Sequence, residues 1–218
     1  KGVMCVIRAF LLKNGFIPIK ETIFHLFAPI ISMGTGAPMG PEGPSAKIGS
    51  GIGSYLAQLM KLGKNDMIMY TSAGGGAAIA AAFNAPIAGV FFGIEVILLN
   101  DLKNKALSAL IIASVVADII SRSLLGDVRV FRIPSYTTGD YFSYFYYVLL
   151  GVVCGLVALF YFFMSDKFEY MFDEKLKIHN PFARLIPVTF VFGLILVKYY
   201  TLFGIGYNTI DNLIHGSF

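Results

Sequence analysis

The chain has 218 residues, of which 56% are hydrophobic and only 14% charged. Soluble domains carry about a quarter charged residues, so this chain has too little polar side chain to cover its own surface in water. Lipid is the expected solvent for much of it, which speaks against a soluble enzyme, a nucleic-acid module or a disordered tail, each of which needs more charge.

The excess of 17 Lys and Arg over 13 Asp and Glu reads, on a membrane protein, as anchoring of cytoplasmic loops. Cys5 and Cys154 stand in apolar surroundings without CxxC spacing, and are read as packing residues. Arg8 and Lys13 break any signal-peptide centre near the N-terminus. A first residue other than Met, and an end at Phe218, lead us to expect a piece of a longer chain.

Apolar runs between charges fall near 22–33, 44–60, 67–84, 86–99, 106–125, 143–165 and 185–203, and each is expected as a helix. Only the last three approach the ~20 residues needed to cross a bilayer. The run 86–99 would be about 21 Å long against a hydrocarbon core of about 30 Å. Helices that stop inside a bilayer expose backbone ends, which is tolerable where protein buries them or a polar cavity solvates them. Such broken helices mark channels and transporters.

Asn84-Ala85-Pro86 cannot continue a helix, so 67–84 and 86–99 are expected to form a helical hairpin. Its outer loops carry Lys61, Lys64, Lys103 and Lys105. Following the crossings onward adds Lys167, Lys175, Lys177 and Arg184 to the same face, against Arg122, Arg129 and Arg132 on the other. That bias places the lysine-bearing face in the cytoplasm. Gly49 with Gly53, Gly89 with Gly93, and Gly151 with Gly155 have GxxxG spacing, which fits close packing within one chain or a dimer seam. Twenty Phe and twelve Tyr fit interfacial belts, though Trp is missing.

The most informative stretch is Gly34-Thr35-Gly36-Ala37-Pro38-Met39-Gly40-Pro41-Glu42-Gly43-Pro44-Ser45. A glycine-rich turn leads into a helix with Pro44 in its first turn, a position where the missing N–H costs nothing. A helix start inside a membrane offers unpaired N–H donors and the positive end of the peptide dipole, which together suit an anion. Glu42 at this mouth has two readings. Its carboxylate occupies the anion site and vacates it on protonation, or it caps its own helix. Glu95 is either part of the pathway or a helix-end carboxylate reaching water.

Other chemistries are weaker. No P-loop follows the glycines. An intramembrane serine hydrolase would need Ser50 as nucleophile with a histidine, yet His25, His179 and His215 fall in or beside expected loops or segment ends. No metal-ligand cluster is visible.

Gly40-Pro41-Glu42-Gly43-Pro44 resembles the G-[KR]-E-G-P signature of the CLC family of chloride channels and proton-coupled chloride transporters. Ala80-Ala81-Ala82-Phe83-Asn84-Ala85-Pro86-Ile87-Ala88-Gly89 is similar to that family's second diagnostic stretch, and Gly204-Ile205-Gly206-Tyr207 resembles a glycine-rich turn in the second half of its fold. The resemblance implies an all-α membrane protein of tilted, broken helices in an inverted-repeat fold, incomplete in this chain. Residues 1–126 would be the latter part of the first repeat and 127–218 the beginning of the second.

The resemblance further implies a multi-pass homodimer in a lipid bilayer, with no nucleic-acid partner. No cofactor is expected; chloride or a related anion is the transported ligand. Glu42 would be the gating glutamate, with anion coordination by the backbone at Gly40, Pro41, Gly43, Pro44 and Ser45. The stretch 86–99 and the helix at 106–125 would contribute to the dimer interface, which raises the seam reading of Gly89 and Gly93.

Departures from the family pattern bear on selectivity. Pro41 replaces the usual Arg or Lys, Lys47 stands where an uncharged Gln is common, and His25 falls about where many relatives have Lys. Lys47, His25 and Glu95 are therefore candidates for shaping the potential along the pathway. Val96 stands where transporters of the best-known type carry an internal glutamate for protons. An apolar residue there favours passive conduction, with proton-coupled antiport as the alternative. The family's serine-bearing turn, its G-x-F-x-P helix start and its distal pore tyrosine are expected outside residues 1–218.

Overall fold

The computed structural model describes residues 2–99, 104–127, 131, 133, 134, 141–175 and 180–216. Lys103, Arg129, Arg132, Lys177 and His179 lie outside the described residues. Among those described there are helices and no strands. The chain forms two compact units, Lys1–Arg132 with Leu202–Phe218, and Ile133–Thr201.

The first unit contains α1 (Gly2–Lys13), α2 (Ile19–Gly34), α3 (Glu42–Leu59), α4 (Lys64–Phe83), α5 (Pro86–Phe92), a π-helical turn (Gly93–Ile97), α6 (Asn104–Leu125) and, after the second unit, α9 (Tyr207–His215). Helix α4 lies at the centre, packed by α3, α5 and α6. Its sequence from Thr71 to Ala82 has no side chain larger than Ile, and small residues let helix backbones approach closely. A β-carbon at Gly49 of α3 would fall onto the carbonyl oxygen of Gly74, and one at Gly74 onto that of Gly49. Gly76 and Gly89 stand in the same relation, with added β-carbons 2.7 and 2.5 Å from the opposing carbonyl oxygens.

The expected hairpin is present. Asn84 closes α4 in the left-handed conformation (φ 53°), and Pro86 opens α5, a stop and a start that use the backbone freedom of Asn and the fixed φ of Pro. The run 86–99 is not one α-helix: it turns π-helical at Gly93 and ends by Leu98. Beside the break, Asn84 donates to Asp127 at 2.6 Å, and Arg122 pairs with Asp118 at 2.8 Å across one helical turn. Gly93 faces Leu110 of α6, as Gly89 faces α4, so both glycines pack closely within the chain.

Helix α1 was not expected, because Arg8 and Lys13 interrupt its apolar run. Its turn into α2 is pinned from below: Ser54 and Thr71 each donate to the carbonyl of Gly15 at 2.8 Å, Ile17 N–H donates to Ser54 Oγ at 2.9 Å, and Gln58 donates to the carbonyl of Ile17 at 3.0 Å. An apolar cluster of Ile94, Leu98, Ala106 and Leu110, flanked by Phe10 and Met69, joins the π turn to α6 and α1.

The second unit contains α7 (Phe142–Tyr170), a π-helical turn (Met171–Lys175) and α8 (Pro181–Lys198). Asn180 caps α8 by accepting from Phe182 N–H at 3.0 Å, and Arg184 pairs with Asp173. Two helical stretches, Ala106–Leu125 and Tyr144–Glu174, are long and apolar enough to cross a membrane.

Candidate anion site at the start of α3

Helix α2 ends in a turn that spends most of its donors locally. Thr35, Gly36 and Ala37 N–H groups bond back to Ile31, Met33 and Ser32 at 3.0, 3.0 and 3.1 Å. Gly36, at φ +95°, reverses the chain with backbone freedom that a residue without a β-carbon provides. Pro41 then enters the helical region, and α3 begins at Glu42, two residues before the apolar run 44–60.

The first helical bond is Ser45 N–H to the carbonyl of Pro41, at 2.9 Å. Ser45 is therefore spent as a donor, and Pro41 and Pro44 have no N–H to give. The backbone set expected from the sequence is corrected accordingly: the amides of Gly40, Glu42 and Gly43 have no acceptor among the described residues. Glu42 adds a backbone donor that its sequence position, marked by an acidic side chain, does not reveal. Three free N–H groups at the positive end of an 18-residue helix favour an anion.

The Glu42 carboxylate folds back against Gly40, so that a β-carbon there would overlap Oε2. It joins no ion pair among the described residues, and the cap residue before it, Pro41, makes no side-chain cap bond. The carboxylate lies on the turn without being bonded to it.

A second glycine-rich turn meets this one. Gly204 N–H donates to the carbonyl of Gly36 at 3.1 Å, and the ring of Phe203 lies where a β-carbon of Gly36 would be. The turn closes at Gly206, whose left-handed φ of 83° starts α9 at Tyr207. Tyr207 stacks edge-on against Phe131 and lies within electrostatic reach of Glu42. Helix α9 is short and polar, so no apolar run announced it; the Gly-x-Gly step was the available signal.

The remaining candidates are placed apart. Lys47 is buried in α3, paired with Glu21 of α2 at 3.0 Å. His25 sits in the body of α2, not at a segment end, and its Nδ1 meets the carbonyl of Glu21 at 2.7 Å. Glu95 and Val96 lie side by side in the π turn, Glu95 exposed and Val96 half-buried. Ser50 is buried with its hydroxyl unpartnered among the described residues; His25 bonds within its own helix and His215 within α9, so no histidine described here activates it. Among the described residues no group of His, Cys, Asp and Glu could hold a metal.

Broken helices and a helix start with free amides are features that recur in membrane channels and transporters. The family model for the voltage gated chloride channel matches residues 1–218. This chain belongs to that family, the CLC proteins, which are channels and transporters and not enzymes. It is similar to the chloride channel protein CLC-f of Arabidopsis thaliana, 32% identical over 193 residues that cover 85% of this chain and 24% of that protein. The putative chloride channel protein ClcB-like of Ralstonia nicotianae is 26% identical over 99% of this chain and 50% of its own length. The H(+)/Cl(-) exchange transporter ClcA of Vibrio vulnificus is 28% identical over 93% and 43%. The chain thus spans between a quarter and a half of the length of these relatives.

Proposed function

We propose that this chain is part of a multi-pass, homodimeric membrane protein that conducts chloride or a related anion, gated by Glu42. The observation that carries this reading is the set of free amides at Gly40, Glu42 and Gly43 beneath an unbonded Glu42 carboxylate. Anion and carboxylate compete for the same donors, and protonation of Glu42 removes the competitor. Dipoles fixed in place attract the anion without a buried cation at the helix mouth, so the ion is held loosely enough to leave.

Passive conduction is the preferred mode. Val96, the residue after Glu95 in the π turn, has no group that can take up a proton. The two inverted repeats, 1–126 and 127–218, belong to the same proposal, as do the absence of any cofactor and the bilayer as surroundings.

The test is chloride efflux from liposomes containing the full-length protein, with and without an imposed pH gradient. Glu42→Gln is expected to abolish the pH dependence of efflux, and unchanged pH dependence would overturn the gate. In the wild type the chloride reversal potential is expected to ignore the pH gradient; a potential that moves with it makes the protein an antiporter.

A further inference from the structure

Helices α3, α4 and α6 of the first unit line a groove of about 830 Å³. Both α3 and α6 pack on α4, so α4 is the floor and the other two are the walls. The lining of α4 runs from Met69 to Ala81, about 18 Å along its axis. Ala73, Gly74, Ala77 and Ala78 form most of that floor, and Ala113 and Ala117 stand in the wall from α6. Tyr70 brings the one hydroxyl, and no charged residue lines the groove among those described.

The lining differs from the helix faces that this chain leaves uncovered elsewhere. The surface of α7 is set with large side chains, Phe145, Phe160 and Phe163 among them, all exposed. The groove is set mainly with Ala and Gly. Lipid tails are served equally well by a bulky lining, whereas small residues on a membrane helix mark where another helix comes close.

A second copy of the same face is the wrong shape to fill it. Copies related by a two-fold axis present one and the same patch to each other, and two hollow patches leave a void between them, with the dispersion contacts of both linings lost. What fits is a helix of about three turns or more with large apolar side chains at i, i+3, i+4 and i+7, the complement of a small-residue lining. Proteins of this family have the chain to supply one: the matched segment is 24% of the Arabidopsis relative and 50% of the Ralstonia relative.

We infer that the groove between α3 and α6 seats a membrane helix of the same protein, contributed by chain outside residues 1–218. The face is then an internal seam, and neither a lipid surface nor the contact between two copies. This inference is independent of the anion reading of the α3 start, and each can fail without the other.

The experiment places a photoreactive benzoylphenylalanine at position 112, where Ile112 stands in the groove wall, in the full-length protein in its membrane. Irradiation is expected to give an adduct at the mass of one chain that joins position 112 to a peptide from outside residues 1–218, identified by mass spectrometry. Joining only to lipid, to a second copy or to residues 1–218 overturns the inference. Thermal unfolding of Ala113→Leu in detergent is the second measurement. The groove as it stands has room for the added carbons, so without a seated helix the variant would unfold at the wild-type temperature or above it. With a helix in place the site is overpacked, and a fall of about 3 °C or more is expected. An unchanged or higher unfolding temperature overturns the inference; should Ala113→Leu fail to fold, the adduct decides alone.

Discussion

Helices α4 and α7 are both apolar along almost their whole length, yet they are used in opposite ways. Helix α4 is buried at Thr71, Ser72, Ala73, Gly75, Gly76, Ile79 and Ala80, and touches its neighbours backbone to backbone. Helix α7 carries Phe145, Phe160, Phe162, Phe163 and a series of Tyr, Leu and Val on its outside, all exposed. In water the large residues would be buried and the small ones tolerated anywhere. Where lipid is the solvent, exposing Phe costs nothing, and close approach between helices becomes the reason for burial. Size therefore decides what is inside, and hydrophobicity does not. Close packing also places helix ends, among them the start of α3 at Glu42 and the break between α4 and α5 at Asn84.

The largest predicted effect attacks that packing. Gly49→Val puts a branched side chain onto the carbonyl of Gly74, and neither backbone can swing aside. We expect a loss of about 3 kcal/mol or more, read as a lower thermal unfolding temperature in detergent and a smaller monodisperse fraction. Wild-type stability would mean that α3 and α4 are not in backbone contact, and the comparison with α7 would lose its basis.

Much of this arrangement was legible in the sequence, for identifiable reasons. Seven apolar runs became seven helical stretches because charges and Pro or Gly punctuate them. Asn84 and Pro86 fixed the hairpin, and the glycine-rich turn with Glu42 pointed to the free helix start. What was hidden depends on tertiary contact. Glu21 and Lys47 are 26 positions apart on separate helices, and nothing in either segment announces the partner. The donors at the α3 start required knowing that Ser45 bonds to Pro41. Helices α1 and α9 escaped because charge and polarity dilute their apolar faces, although both are held in place by the first unit.

A middle-sized effect is expected where polar groups, and not small ones, hold helices together. Ser54→Ala removes a hydroxyl that donates to the carbonyl of Gly15, accepts from Ile17 N–H at 2.9 Å and accepts from Gln58 at 3.1 Å. The Ile17 amide, in a buried residue, would be left without its acceptor. Gly15 would keep its bond from Thr71. We expect destabilisation of about 2 kcal/mol, the penalty for one buried donor left unpaired plus the lost bond. Hydrogen exchange should accelerate at Ile17 before it does in α3, and unchanged exchange there would mean that the turn is held by apolar contact alone.

The smallest effect tests the other side of the comparison. Gly151 and Gly155 share the GxxxG spacing of Gly49 and Gly53, but a β-carbon added at either would meet nothing within 4 Å. Identical spacing therefore has different meanings in α3 and α7, and only the neighbours distinguish them. Gly151→Ala is expected to change unfolding by no more than about 0.5 kcal/mol, and toward stability, because Ala is the better helix former by up to about 1 kcal/mol. A loss larger than about 1 kcal/mol, or a change in oligomeric state, would mean that this stripe is covered in the full-length protein by a closely approaching helix. Gly151 and Gly155 would then be a seam of the kind that α3 and α4 form within the chain, and the contrast between the two regions would reduce to one between a seam already closed by this segment and a seam closed by the rest of the assembly.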